Sequence, residues 1–506
     1  MGEDTSPALQ VIVLGSGGGP LESNITAFLV RAVSQDWSKG SIIAVDAGVH
    51  LSAITRLIEE ATPSPPPTSL PFTLATGPFA GLSLPYSSPA ANAAHMTRNL
   101  IDTYLITHPH LDHISGFVIN TAGLPGTRPK KLAGLPSTIQ ALKRHVFNNV
   151  IWPNLSDENN GAGLLTYLRL VEGGSPALGD GQGKGYLEVC DGLLVKTWSV
   201  SHGHCIERHF HSGSAPSTSP RSGSRDFSAP MPRRDLPGQQ SFRGQTSLSQ
   251  PSFDGITPLF TAVSEQERPE KYCVYDSSAY FIQDVAHRRE VLIFGDVEPD
   301  TISLNPRNRG IWLEAAPKIA GGTLAAILIE CSYDDSRSND RLFGHMKPVF
   351  VVEELLVLAA EVEAVRRLGR AAECRKRKRL SVGEEPFSHR PKPSSRRPAA
   401  HDEPVSPKSV KTPLYKPVDG TDTPHLPTPT DEPWLGDVES IDPGPVAAPA
   451  ARPLEGLKVV IMHVKEALVD GPDVGDTILR QLREHEQDAQ LGCEFIVSRS
   501  GQSMYL

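Results

Sequence analysis

The stretch that most constrains this chain is TYLITHPHLDHISGFVIN, residues 103–120. An apolar run that reads as a strand ends at Thr107, and His108, His110, Asp112 and His113 follow it closely. Side chains two apart in an extended segment share a face, so His108 and His110 can point the same way. Asp112 and His113 then open HISGFVIN, which reads as a helix. Imidazole and carboxylate groups suit zinc and similar divalent ions. All four cannot comfortably surround a single ion from one short turn. They divide better between two neighbouring ions, which lie about 3.5–4 Å apart in two-metal sites.

Strand-like and helix-like segments alternate on both sides of this turn. LQVIVLGSGGGP is an apolar strand running into a glycine-rich turn, and NITAFLVRAV and SIIAVDAG are further strands. NLIDTYLIT and GLLVKTWSVS are strands, while STIQALKRHVFNNVI has helical apolar spacing. Later come the strands EKYCVYDSSAYFI, EVLIFGD and LAAILIECSY, then helical spacing over roughly 346–372. The final piece, 454–506, holds the strand LKVVIMHV, a helix near 474–488 and the strand CEFIVS. Three stretches break the alternation. Residues 61–92 are rich in Pro, Ser and Ala and read as a loop insertion. Residues 212–255 and 375–453 have few large apolar side chains and read as disordered insertions, the second basic and Pro-rich. The whole, 1–506, is expected to be a single α/β domain with these excursions.

The formal net charge of -9 does not suggest a nucleic-acid partner. The opening residues MGEDTSPALQ are polar and acidic, unlike a signal peptide, and no apolar run approaches the roughly 20 residues of a membrane span. The six cysteines are scattered with no C-x-x-C pair, so reduced thiols and a cytoplasmic location are expected, with no membrane partner.

H-x-H-x-D-H after a strand resembles the first signature of the metallo-β-lactamase fold. The form THPHLDHISGFVIN more narrowly resembles the class II 3′,5′-cyclic-nucleotide phosphodiesterases, the low-affinity cAMP enzymes of fungi and some bacteria. GSGGGPLESNITAFLV, FNNVIWPNL, SSAYFI, IFGDVEPD, LIECSYDD, FGHMKP and VVIMHVKE fit that family too. The resemblance implies an αββα sandwich, two mixed β-sheets flanked by helices.

It also implies further metal ligands at later strand ends. LLVKTWSVSHGH offers His202, with His204 as competitor; the Ser-His-Gly form of the family selects His202. VLIFGDVEPD offers Asp296 as a bridging carboxylate, and LKVVIMHVK offers His463. The expected arrangement places His108, His110 and His202 on one ion, Asp112, His113 and His463 on the other, and Asp296 between them. Asp112 also counts in the catalytic set. Zinc is the best match for both divalent ions. Two cations offset the charge of a cyclic phosphodiester and activate water near neutral pH, which suits ring opening to a 5′-monophosphate. His345 would protonate the departing 3′-oxygen, oriented by Glu330, with Asp334 and Asp335 as alternatives for that second role.

LGSGGGP could cradle phosphate, but no G-x-G-x-x-G opens a helix here, and a tight turn beneath the metals is the preferred reading. Asn24, just after it, is expected to face the cyclic-nucleotide substrate. Trp152 offers either a stacking face or ordinary packing. RKRKRL, 375–380, fits a nuclear-import signal or a solvated linker, and RKRLS offers Ser381 to a basophilic protein kinase. Two other functions stay open: a tRNA 3′-processing endonuclease, which would be expected to carry a basic RNA-holding arm, and a non-enzymatic scaffold, which would be expected to lack ligands.

Overall fold

A computed structural model describes residues 6–123, 128–178, 184–206, 272–381 and 452–506. LQVIVLG forms strand β1 (Leu9–Gly15), buried throughout. Its residues alternate between two cores: Val11 and Val13 face one, Ile12 and Leu14 the other. A strand apolar on both faces needs a layer over each, and that requirement dictates a multilayer domain.

The next elements are β2 (Ala27–Ala32), β3 (Ile42–Val45), α1 (Leu51–Ala61), β4 (Phe72–Thr73), β5 (Ser83–Leu84) and α2 (Pro89–Asn99). They are followed by β6 (Ile101–Leu105), α3 (Leu111–Gly123), β7 (Lys130–Gly134), α4 (Pro136–His145) and β8 (Leu165–Arg169). The second half holds β9 (Leu187–Cys190), β10 (Leu193–Ile206), β11 (Tyr272–Asp284), β12 (Glu290–Phe294), α5 (Asn308–Ala320) and β13 (Leu324–Glu330). It closes with α6 (Pro348–Ser381), β14 (Lys458–Met462), α7 (Val474–Ala489), β15 (Glu494–Val497) and β16 (Ser503–Tyr505). Local chemistry starts several helices. Proline occupies the first turn of α2 and α4, where its missing N–H costs nothing. Asp473 caps α7 by accepting from the Asp476 N–H at 3.0 Å.

Two seven-stranded sheets result, ordered β16-β1-β2-β3-β6-β7-β8 and β15-β14-β13-β12-β11-β10-β9. In each, antiparallel pairs give way to parallel ones, at β3–β6 in the first and at β12–β13 in the second. The core between the sheets joins Val11, Phe28 and Val45 to Tyr280, Ile293 and Leu328. Side chains of α1 to α4 cover the outer face of the first sheet, and Trp312 of α5, Leu355 of α6 and Ile478 of α7 pack with the second. The two mixed sheets flanked by helices are the metallo-β-lactamase-like sandwich that the motifs led us to expect.

This topology decides where the chemistry can sit. Strands β12, β13 and β14 are parallel, and β10 runs the same way because two antiparallel steps separate it from β12. Their C-terminal ends therefore share one edge, and those ends carry His202, Asp296, Glu330 and His463.

Two boundaries differ from expectation. The 61–92 stretch is not a bare loop: it holds the β4–β5 hairpin and the start of α2, and it buries Leu74, Phe79 and Leu82 in the outer core. Its few apolar residues are enough to anchor a segment whose composition reads as loop. Helix α6 runs through the basic stretch to Ser381 rather than stopping near 372, consistent with the good helix propensity of Arg and Lys. The rest of the 375–453 insertion, from 382 to 451, and the 212–255 insertion lie outside the described residues. By its contacts the chain divides into two units, 1–365 with 452–506, and 366–451.

Candidate metal centre

At the shared edge the turn after β6 meets the ends of β10, β12 and β14. His108, His110, His202 and Asp296 offer ligand atoms within 4.8 Å of one another, and Asp112, His113, Asp296 and His463 do the same. Asp296 belongs to both groups. Its Oδ2 lies 3.6 Å from His108 Nε2, 3.5 Å from His202 Nε2 and 3.3 Å from His463 Nε2, and its Oδ1 lies 3.2 Å from His113 Nε2. Asp112 stands at the more open side, with Oδ2 3.7 Å from His463 Nε2 and 3.9 Å from His113 Nε2. His204 stays outside both groups.

Hydrogen bonding behind the rings decides which nitrogen faces inward. His202 Nδ1 lies 2.9 Å from the Gly344 carbonyl, which can only accept, so Nδ1 carries the proton. His113 Nδ1 likewise donates to Asp46 at 2.8 Å. Thr26 donates its hydroxyl proton to the Gly17 carbonyl, so its lone pair accepts from His463 Nδ1 at 2.7 Å. Thr107 donates to Asp46 Oδ2 and so accepts from His108 Nδ1 at 3.1 Å. All four imidazoles are thereby held in the tautomer that turns an Nε2 lone pair toward Asp296. Nε2 of His108, His113 and His463, together with Asp296 Oδ1, are buried and without a hydrogen-bond partner among the described residues. Leaving such atoms unpaired costs about 1–3 kcal/mol each, whereas a divalent cation would satisfy them together. The donor set therefore fits metal ions.

Charge follows the same geometry. Burial pushes the Asp296 carboxyl up, but His463, His113, His108 and His202 outweigh it and hold Asp296 well below the usual range. Burial, with His202 adding, lowers His110 to about 4. Burial also lowers His108, reinforced by His113, though Asp296 opposes it.

His345 sits beside this cluster, its ring 4.8 Å from His202 and stacked at 5.3 Å on His463. Its Nδ1 pairs with Glu330 Oε1 at 2.8 Å. Glu330 is fully buried and also accepts from the Val297 N–H at 3.0 Å and from the Ser332 hydroxyl at 2.7 Å. Burial works against a charge on His345, but Glu330, aided by Asp296, raises its pKa above 6.5. Asp335 instead pairs with His485.

The glycine-rich turn lies under the centre. A side chain on Gly18 would meet His463 ring atoms at 2.7 Å, so only glycine lets the turn approach. Gly295, just before Asp296, makes room for Thr107 and Ser277, which a Cβ would approach to 2.5 Å. Asn24 is turned into the wall beside the site: it donates to Glu466 at 2.9 Å and accepts from the Ser16 N–H at 3.2 Å. It also lines a cavity of about 720 Å³ with Leu21, Arg56, Leu468 and Arg499. Trp152 packs against the outer core of the first sheet.

Sequence reasoning missed four contributors. Asp46, Thr26 and Thr107 orient ligand histidines; Thr107 stands next to His108 in the motif, and nothing local marks the other two. Lys465 donates to the Gly18 carbonyl at 3.0 Å, and its charge lowers the pKa values of both His345 and His463. It stands two residues past His463, the one clue the sequence holds.

Comparison with known proteins places the chain among its relatives. The family described as cAMP phosphodiesterases class-II matches residues 8–173, 255–368 and 446–501. The chain belongs to that family. It is 30% identical over 351 residues to a 3′,5′-cyclic-nucleotide phosphodiesterase of Schizosaccharomyces pombe, covering 69% of this chain and 75% of that one. It is 26% identical over 385 residues to a 3′,5′-cyclic-nucleotide phosphodiesterase of Candida albicans, covering 70% and 83%. The crystal structure of unliganded yeast PDE1 shares the fold, with a TM-score of 0.57 and 17% identity over 99% of this chain and 100% of that one.

Proposed function

We propose that this protein hydrolyses 3′,5′-cyclic nucleotides, cAMP foremost, to nucleoside 5′-monophosphates at a centre of two divalent ions. The observation that carries the reading is the set of four histidines whose Nδ1 partners turn Nε2 toward one shared carboxylate. His108, His110 and His202 would hold one ion, Asp112, His113 and His463 the other, with Asp296 common to both. Two divalent ions there, zinc being the best match to the donors, would offset the phosphodiester charge and bring the pKa of a water near neutrality.

The remaining steps belong to the chain itself. Water attacks phosphorus in line with the bond to the 3′-oxygen; the new P–O bond forms as the P–O3′ bond breaks. The departing 3′-oxygen needs a proton. His345 has its Nδ1 engaged by Glu330, which leaves Nε2 to deliver one, and Glu330 favours its protonated form. Lys465 contributes positive charge on the same side, favouring an anionic diester. Asn24 and Glu466 shape the adjoining wall. Family membership favours this reading over the tRNA-end endonuclease. The test is turnover of cAMP, cGMP, a linear phosphodiester and a precursor tRNA by the purified protein, with and without chelator. Chelator-sensitive conversion of cAMP to 5′-AMP is the expected result, and precursor tRNA cleavage without cyclic-nucleotide turnover would overturn it.

A further inference from the structure

Phe343 stands out among the residues around the centre. It is 69% exposed, although a phenyl side chain gains by burial. Its φ is +53°, a left-handed conformation that is a true outlier for a bulky residue. Costly backbone and forgone burial in one residue, two positions before His345, mark a side chain placed for contact with something else.

The surroundings explain how it is held there. Gly344, at φ +82°, abuts the His202–Gly203 backbone so closely that a Cβ would meet Gly203 N at 2.5 Å. Its carbonyl accepts from His202 Nδ1, and His345 is tied to Glu330. The chain after Phe343 is therefore fixed to the site, Leu342 before it is buried, and the ring is left exposed between them. Arg337 lies 5.8 Å from the ring centroid, but it sits closer to Tyr333, at 4.6 Å, and so does not account for the ring's placement. A second exposed aromatic stands beside the metal cluster. The β10–β11 register shifts between Ser201 and His204, which puts Tyr275 opposite His202 and Gly203. Tyr275 is 44% exposed, with its ring edge-on to His110 at 6.3 Å.

We propose that Phe343, supported by Tyr275, is the platform on which the nucleobase of the substrate stacks while the cyclic phosphate reaches the metal centre. The proposal rests on the cyclic-nucleotide reading above and adds the residue that recognises the base. Base–aromatic stacking tolerates any base because every base has a π-face, so this contact supplies affinity for nucleotides in general. It is made before and during reaction alike, so it governs KM more than kcat.

The experiment compares cAMP with a 3′,5′-cyclic phosphate of 1-deoxyribose, which has no base, in the parent protein and in Phe343→Asn and Phe343→Trp. Asparagine tolerates the left-handed backbone and removes the ring, so the loop is preserved. Phe343→Asn should lower kcat/KM for cAMP about 5- to 150-fold, through KM, and leave the base-free substrate within about two-fold. Phe343→Trp should keep the preference for cAMP. Equal slowing of both substrates would make Phe343 a prop for His345 and overturn the proposal. So would an unchanged KM accompanied by a change of molar mass in light scattering, which would make the ring a contact between copies of the chain. A parent protein that turns over neither cyclic phosphate would sink the underlying reading instead.

Discussion

Replacing Asp46 by asparagine tests whether the ring tautomers are the basis of metal binding. The carboxylate is buried and accepts three hydrogen bonds, from Thr107 N–H, Thr107 Oγ1 and His113 Nδ1, each at 2.8 Å. Asparagine keeps the shape and can still accept from Thr107 N–H through Oδ1. Its Nδ2 then faces His113 Nδ1, donor against donor. The ring relieves this by moving its proton to Nε2, the atom aimed at the metals. Loss of an outer partner of a ligating histidine costs about 10- to 100-fold in metal affinity. At 1.36 kcal/mol per decade that is about 1.4–2.7 kcal/mol. Competition against a chromophoric chelator measures it directly, with circular dichroism to check the fold. The ion assigned to Asp112, His113 and His463 should loosen by that factor. Parent-level affinity for both ions in a folded Asp46→Asn protein would refute the tautomer argument.

Other consequences follow from the same geometry. His345→Ala should retain its metals, slow cyclic-nucleotide hydrolysis about 10²- to 10⁴-fold, and slow a nitrophenyl diester much less, because that leaving group needs no proton; elemental analysis and the two rates check this. A general acid is active while protonated, so activity should fall as pH rises through the His345 pKa, which lies above 6.5. Glu330→Gln removes the main cause of that raised value, so the alkaline limb of the pH–rate profile should move to lower pH. Gly18→Ala places a Cβ 2.7 Å from His463 ring atoms and should reduce metal content, at a stability cost of about 1–3 kcal/mol visible in thermal melting. Shortening the chain within 215–250, which falls outside the family match, should leave hydrolysis near the parent level, since loop length costs only about 0.6 kcal/mol per doubling.

The sequence carried the fold where strands were buried on both faces, because β1, β12, β13 and β14 appear as unbroken apolar runs between turn signals. It was silent for α5, where Gly310 and Pro317 interrupt the helical pattern, and for short strands such as β7 and β8. At the candidate centre, His108 to His113 were legible because they are local. His202, Asp296 and His463 became legible only through resemblance to a family, since nothing in one strand end announces which distant turn it will meet. Asp46 and Thr26 escaped notice for a related reason. Thr26 reaches His463 across 437 positions, and a lone polar residue after an apolar strand has no signature of its own. Phe343 opens FGHMKP, but its left-handed backbone and its exposure are visible only in the structure.

The central claim is that two ions, shared through Asp296, make the chain a cyclic-nucleotide hydrolase. The most direct measurement strips the protein with chelator, restores a divalent metal stepwise, and records bound metal and cAMP turnover on the same samples. Activity should appear as the second equivalent per chain is bound, and Asp296→Ala should lose both metal and turnover. Full cAMP hydrolysis by metal-free protein, or by protein holding a single ion, would contradict the account.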